Sequence, residues 1–162
     1  MAPWRDWPTA ASGALEYLYT HSTWDAWMVT RVVEDRQVIL CAQPATAVPP
    51  GASLAWADSF CRPMVRGTAP RVATVTAAVP EYASRTLPNG MSVAAYIGVP
   101  VVGPDGELFG TVCGVGSRAR PLSVTRDLPL VELVARMLSS LLAAGLEPGP
   151  VPPPPPAEET AQ

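Results

Sequence analysis

One stretch constrains the fold more than any other: AAYIGVPVV and ELFGTVCGVG, two runs rich in β-branched and aromatic residues, flank Gly103-Pro104-Asp105-Gly106. A proline, aspartate and glycine cluster between such runs closes a tight hairpin, so the chain commits to two central antiparallel strands. A second hairpin is predicted earlier, where WDAWMVTRVV and QVILCAQ are separated by the turn residues Glu34-Asp35-Arg36.

Helices are expected at both ends. Pro8 to about Ser22 carries Leu15, Leu18 and Tyr19 at one-turn spacing, with Pro8 where a first helical turn tolerates it. Near the other end, Asp127 reads as an N-cap and Gly145 as a stop for the longest helix. Leu130, Val131, Val134, Met137, Leu138, Leu141 and Leu142 form its broad apolar stripe. Between the hairpins, PATAVPPGAS is a loop and Ser59 to Gly67 a short helix with Pro63 in its first turn. Val72 to Val75 follows as a short strand, and then a long irregular excursion of the kind that covers a site. After Gly145 comes LEPGPVPPPPPAEETAQ, whose proline run builds no core and reads as an extended or disordered tail or linker. The domain limits expected are a lead over 1–9, one domain over 10–145 and the tail over 146–162.

Composition removes several functional classes. A chain of 162 residues with 48% hydrophobic content suits one domain with a proper core. It has no lysine, and its 14 acidic residues outnumber 11 scattered arginines, which argues against nucleic acid as a partner. No segment approaches the roughly 18 apolar residues of a bilayer span and none resembles a signal peptide, so a cytoplasmic location away from membranes is expected. Cys41, Cys61 and Cys113 are too far apart for a CxxC zinc pattern and odd in number for a disulfide framework. Reduced, mostly buried thiols are the expectation.

The order of elements resembles the GAF family of small-molecule sensory domains, over about Ala10 to Leu142. The most specific stretches are SLAWADSFCRPMVRGTAPRVA, VPEYA, AAYIGVPVVGPDGELFGTVCGVG and DLPLVELVARMLSSLL. They are similar to the GAF domains that precede diguanylate cyclase and other output domains in actinobacteria. The resemblance implies an α+β fold: a central antiparallel sheet of five or six strands, terminal helices on one face and a ligand pocket on the other. It also implies a homodimer through the C-terminal helix and an output domain or signalling partner.

The pocket would be walled by the short helix and the excursion. Trp56, Phe60, Met64, Tyr82, Met91 and Tyr96 supply apolar walls, and Arg71, Tyr82 and Thr111 supply groups for a polar or anionic ligand. Cys61 and Cys113 are the two cysteines expected to face one cavity; a free cysteine in such a place is ordinarily a small buried filler. Arg62 follows Cys61 where bilin-binding relatives carry histidine, and the lone His21 lies in the first helix, so neither a bilin nor haem is implied. The nucleotide-binding signature of asparagine, lysine, phenylalanine and aspartate is absent too. The sequence therefore reads as a non-catalytic sensor of an unidentified small molecule, with no assigned cofactor or metal. Its alternatives are a ligand-free dimerisation module and a thiol enzyme like the free methionine sulfoxide reductases, which needs two thiols within bridging reach.

Overall fold

The computed structural model describes residues 1–156. Helix α1 spans Trp7–Thr20, with Asp6 as N-cap accepting the Thr9 amide at 2.8 Å. The predicted hairpins are β1 (Ala26–Val33) with β2 (Arg36–Gln43), and β5 (Ala95–Val102) with β6 (Leu108–Gly116). β3 (Ser53–Ala55) and β4 (Val72–Ala73) extend the sheet on either edge, and α2 (Cys61–Val65) and α3 (Leu128–Ala143) complete the elements. The sheet is six-stranded in the order β3-β2-β1-β6-β5-β4, with every neighbouring pair antiparallel.

The two faces are distinct. Alternation along each strand sends Trp27, Val29, Ile97, Val99, Val101 and Val112 toward α1 and α3, where they meet Leu15, Leu18, Val131 and Leu138. Met28, Ile39, Tyr96, Cys113 and Val115 point the other way, toward α2 and the excursion. One β-bulge breaks the alternation: Val29 pairs with Cys41 and Thr30 with Ile39, so Leu40 is the extra residue. Leu40 and Cys41 consequently both pack on the helix side, while Ala42 returns to the other face.

Four local expectations are corrected. Tyr19 is 39% exposed while Leu15 and Leu18 are buried, because the helix turns only the leucines to the sheet. Ser53, expected in a loop, begins β3, which exposes no apolar alternation of its own and is held by pairing to β2. The strand at Val72 stops at Ala73, since only those two residues pair with β5. Asp127 has helical backbone angles and caps nothing; a 3-10 turn over Leu122–Asp127 runs straight into α3, and the carboxylate instead accepts the Trp24 indole N–H at 3.0 Å.

Gly145, with φ of +93°, ends α3 as expected, and Leu146 N–H returns to the Leu141 carbonyl at 3.0 Å. The proline-rich segment then passes α1 and β2, where Pro148, Gly149, Pro150 and Pro152 share a cavity with them, and the Pro153 backbone reaches Gly51. The rest of the expected tail, 157–162, lies outside the described residues. Among the described residues no helix is long and apolar enough to cross a membrane.

Candidate functional site

Ser59 organises the start of α2. Its hydroxyl accepts the Arg62 amide at 3.1 Å and donates to the Trp56 carbonyl at 2.8 Å, so it works as the cap that the apolar side chain of Phe60 cannot supply. Pro63 falls in the first turn, where no N–H is required, and Gly67 closes the helix at φ of +75°. This geometry buries Phe60, Cys61 and Met64 together over β5.

Around Phe60 the aromatic rings close up. Its centroid lies 5.6 Å from Tyr82 and 5.5 Å from Tyr96, and those two tyrosines are 5.1 Å apart. The Tyr82 hydroxyl donates to the Pro70 carbonyl at 2.6 Å, tying the excursion to the chain leading into β4. Tyr96 lies along its own strand over Gly98, where a Cβ would collide with the phenol oxygen. Gly98 thus lets that hydroxyl reach inward and donate to Cys61 Sγ at 3.2 Å.

Cys61 terminates a buried polar chain. Gln37 Nε2 donates to Thr30 Oγ1 at 3.2 Å, Thr30 and Thr111 share a 2.7 Å hydrogen bond directly across the β1–β6 pair, and Thr111 Oγ1 is 3.3 Å from Cys61 Sγ. The Gln37 Nε2 can only donate, and each threonine hydroxyl, with one proton and two lone pairs, links two neighbours in the chain that ends at the sulfur. Burial, the largest single influence, pushes the Cys61 thiol up, but hydrogen bonds from Cys113, Thr111, Tyr96 and Gln37 together outweigh it and bring it down to about 7. Cys113 is held well above the ordinary thiol range, first by its hydrogen bond to Cys61 and then by burial. Cys41, on the helix side, is pushed up to about 11 by burial.

Between these groups lies a cavity of about 20 Å³, lined by Met28, Gln37, Ile39, Cys61, Tyr96 and Cys113 among others. That is room for about one water. Leu54, Thr86, Leu87 and Pro88 line this cavity and also an outer cleft of about 570 Å³ that includes Asp58, Glu81 and Arg85. The excursion is therefore a lid between the two spaces. Polar contacts hold it down: Arg85 Nη1 donates to the Ala57 and Ser59 carbonyls, each at 2.8 Å, and Asn89 Nδ2 to the Ala47 carbonyl at 3.2 Å.

Of the residues singled out from sequence, Phe60, Cys61, Met64, Tyr82, Tyr96, Thr111 and Cys113 converge on this face, with Trp56 partly buried at its margin. Two do not join them. Arg71 lies over α3, where it pairs with Glu132 at 2.8 Å, and Met91 is 51% exposed on the outside of the lid. Sequence reasoning missed Thr30, Gln37 and Ser59. For Thr30 and Gln37 the available signal was a polar residue at an inward position of an otherwise apolar strand; for Ser59 it was a serine just ahead of a helix. Among the described residues no group of three or more His, Cys, Asp or Glu side chains forms a metal cluster.

Solved structures with this architecture are similar to the chain at low identity. The free methionine-R-sulfoxide reductase of Neisseria meningitidis, solved in complex with its substrate, superposes with a TM-score of 0.66 at 17% identity, over 86% of this chain and 79% of that one. The GAF domain of the Acinetobacter phosphoenolpyruvate-protein phosphotransferase gives 0.65 at 14%, over 86% and 84%. The chromophore-binding domain of an R. palustris bacteriophytochrome gives 0.63 at 14%, and this chain, 86% covered, spans 56% of its length. No curated protein sequence matches the chain. The GAF domain profile matches residues 7–142. Sheet order, helix placement and that match over most of the sequence agree, and the chain belongs to the GAF domain family.

Proposed function

We propose that this chain is a non-catalytic sensory GAF domain that takes a small polar molecule beneath the 76–94 lid and signals through its terminal helices. One observation carries the reading: among the described residues the five buried polar side chains, Thr30, Gln37, Ser59, Thr76 and Thr111, lie on the lidded side of the sheet, and Gln37, Thr30 and Thr111 form one chain ending at Cys61. Burying hydroxyls and an amide costs free energy that an apolar face avoids, so a polar chain kept there is best explained by a ligand that uses it. The cavity of about 20 Å³ is the closed state, and ligand entry requires the lid to move so that the outer cleft joins it.

The domain is proposed to work in the cytoplasm as a homodimer, of the type found ahead of diguanylate cyclase and other output domains in actinobacterial signalling proteins. Leu133 is 61% exposed on α3 beside the partly buried Leu130, Met137 and Leu141, an apolar strip suited to a second copy. Leu133→Glu should convert dimer to monomer in sedimentation velocity; an unchanged mass would remove α3 from the interface.

The deciding experiment is native mass spectrometry of freshly purified protein, followed by a thermal-shift screen of polar metabolites. A bound mass, or a stabilising compound whose effect disappears in Thr111→Val, supports the sensor. Neither, across a broad screen, leaves a dimerisation module.

The placement of Cys61 and Cys113 around one cavity favours a second reading, a thiol reductase of the kind represented by the Neisseria enzyme. Two thiols and a sulfoxide give a thioether, a disulfide and water, so both cysteines would be consumed each turnover. Dithiothreitol-dependent turnover of free methionine sulfoxide, abolished in Cys61→Ser and in Cys113→Ser, would establish it over the sensor.

A further inference from the structure

We propose that the groove between α1 and β2 is a binding site for proline-rich segments in the polyproline II conformation, and that residues 149–155 of the same chain are its displaceable occupant. The occupant's shape is dictated by its sequence. Each proline fixes its own φ near −65° and keeps the residue before it extended, so Pro150 to Pro155 is confined to a helix of three residues per turn. Burial follows that period. Pro148 and Gly149 enter partly buried, and from Pro150 onward Pro152 and Pro155 are partly buried whereas Pro150, Val151, Pro153, Pro154 and Pro156 are exposed. Neither the two-residue period of a strand nor the 3.6-residue period of an α-helix gives this pattern.

The groove is preformed for such a ligand. Trp7, Pro8 and Ala11 of α1 form one wall, and Leu40 and Cys41 of β2 form the other. Trp7 is fixed by its indole N–H, which donates to the Leu138 carbonyl at 2.9 Å, and by an edge contact with Phe109 at 5.1 Å. An immobile aromatic wall facing a stiff proline helix is how polyproline II ligands are recognised at small entropic cost. Gly51 permits the close approach, since a Cβ there would collide with the Pro153 carbonyl, and Gly149 turns the chain into the groove at a φ of +78°.

The fit leaves space. A cavity of about 270 Å³ remains between the segment and the groove. Tethering just after Gly145 holds the segment at an effective concentration on the order of millimolar, so weak cis contact suffices, and a ligand with larger side chains at every third position displaces it. This site lies on the helix side of the sheet and does not depend on the lidded cavity.

The test uses the full chain. Gly149→Val unseats the segment by forcing a β-branched residue into the left-handed region, and leaves the groove intact. The indole N–H signal of Trp7 in the NMR spectrum is followed while the peptide LEPGPVPPPPP is added. Wild type should show no change at micromolar peptide. Gly149→Val should shift saturably, and Gly51→Val added to it should lose at least tenfold in affinity, with the Trp24 and Trp27 indole signals unmoved as the control for folding. A Trp7 signal identical in wild type and Gly149→Val, with no response to peptide, overturns the proposal, as does equal binding of a peptide with its prolines replaced by alanine. Protection of Val151 that depends on protein concentration would assign the occupant to a second copy and overturn the cis assignment.

Discussion

One sheet separates two cores built on different principles. On the helix side, the strand residues and α1 and α3 meet through apolar side chains, and the polar atoms of Trp7, Trp24 and Trp27 are each pinned by a single hydrogen bond, to the Leu138 carbonyl, to Asp127 and to Ser22. On the lidded side, similar strands carry a polar chain from Gln37 to Cys61, closed by a loop held with exposed polar contacts. The first face is a closed apolar core, and the second is the one on which the proposed ligand site rests. Same strands, opposite sides: alternation lets a single sequence serve both purposes.

The comparison breaks most easily where the expected effect is largest. Trp27 is fully buried on the helix face and a Trp-to-Ala change there should cost about 3–5 kcal/mol in urea unfolding. A loss under about 1 kcal/mol would mean that this face is not the principal core. On the lidded face the costs should be non-additive. Thr111→Val alone strands Thr30 and should cost about 1–3 kcal/mol, whereas replacing Gln37, Thr30 and Thr111 together by Leu, Val and Val should cost less than that single change. Costs that simply sum would show that the three groups do not act as one chain.

The pH dependence sharpens the contrast further. Cys61 ionises at about 7 in the folded protein, below its ordinary 9.0, so it contributes stability that is present above 9 and lost as pH falls through about 7. Cys41 is shifted the other way, and its contribution is full below 9 and lost as pH rises through about 11. The urea midpoint should therefore rise between pH 7 and 9 in wild type and lose that rise in Cys61→Ser; an unchanged slope would remove the thiolate. The smallest effect belongs to a residue outside both cores. Arg71→Ala breaks an exposed ion pair with Glu132 and should change stability by no more than about 1 kcal/mol, with ligand shifts intact. Loss of ligand response in that variant would return Arg71 to the site.

Much of this architecture was legible in the chain. GPDG and the Glu34-Asp35-Arg36 turn announced the two hairpins because turn chemistry is local, and both terminal helices followed from one-turn apolar spacing. Phe60 with Met64 on one face of α2, and Cys61 with Val65 on the next, follow from the same one-turn arithmetic, given Pro63 in the first turn. What the sequence by itself determined, then, was the two hairpins and the terminal helices with their leucine faces, because periodicity and turn residues act within a few positions.

Tertiary structure decided the rest. Which polar strand residues meet depends on register: Thr30 faces Thr111 across 81 positions, and nothing near either residue specifies the other. Cys41 was expected apart from Cys61 and Cys113, but the bulge at Leu40 that puts it on the opposite face is announced by no local pattern. Arg71 was drawn to Glu132 on a distant helix, and Asp127 to an indole rather than a cap. The proline segment shows the same division. Its conformation is written in its own residues, but its seat against Trp7 and Gly51 exists only once α1, β2 and the loop between β2 and β3 have been brought together, because a groove is a relation among segments and belongs to none of them alone.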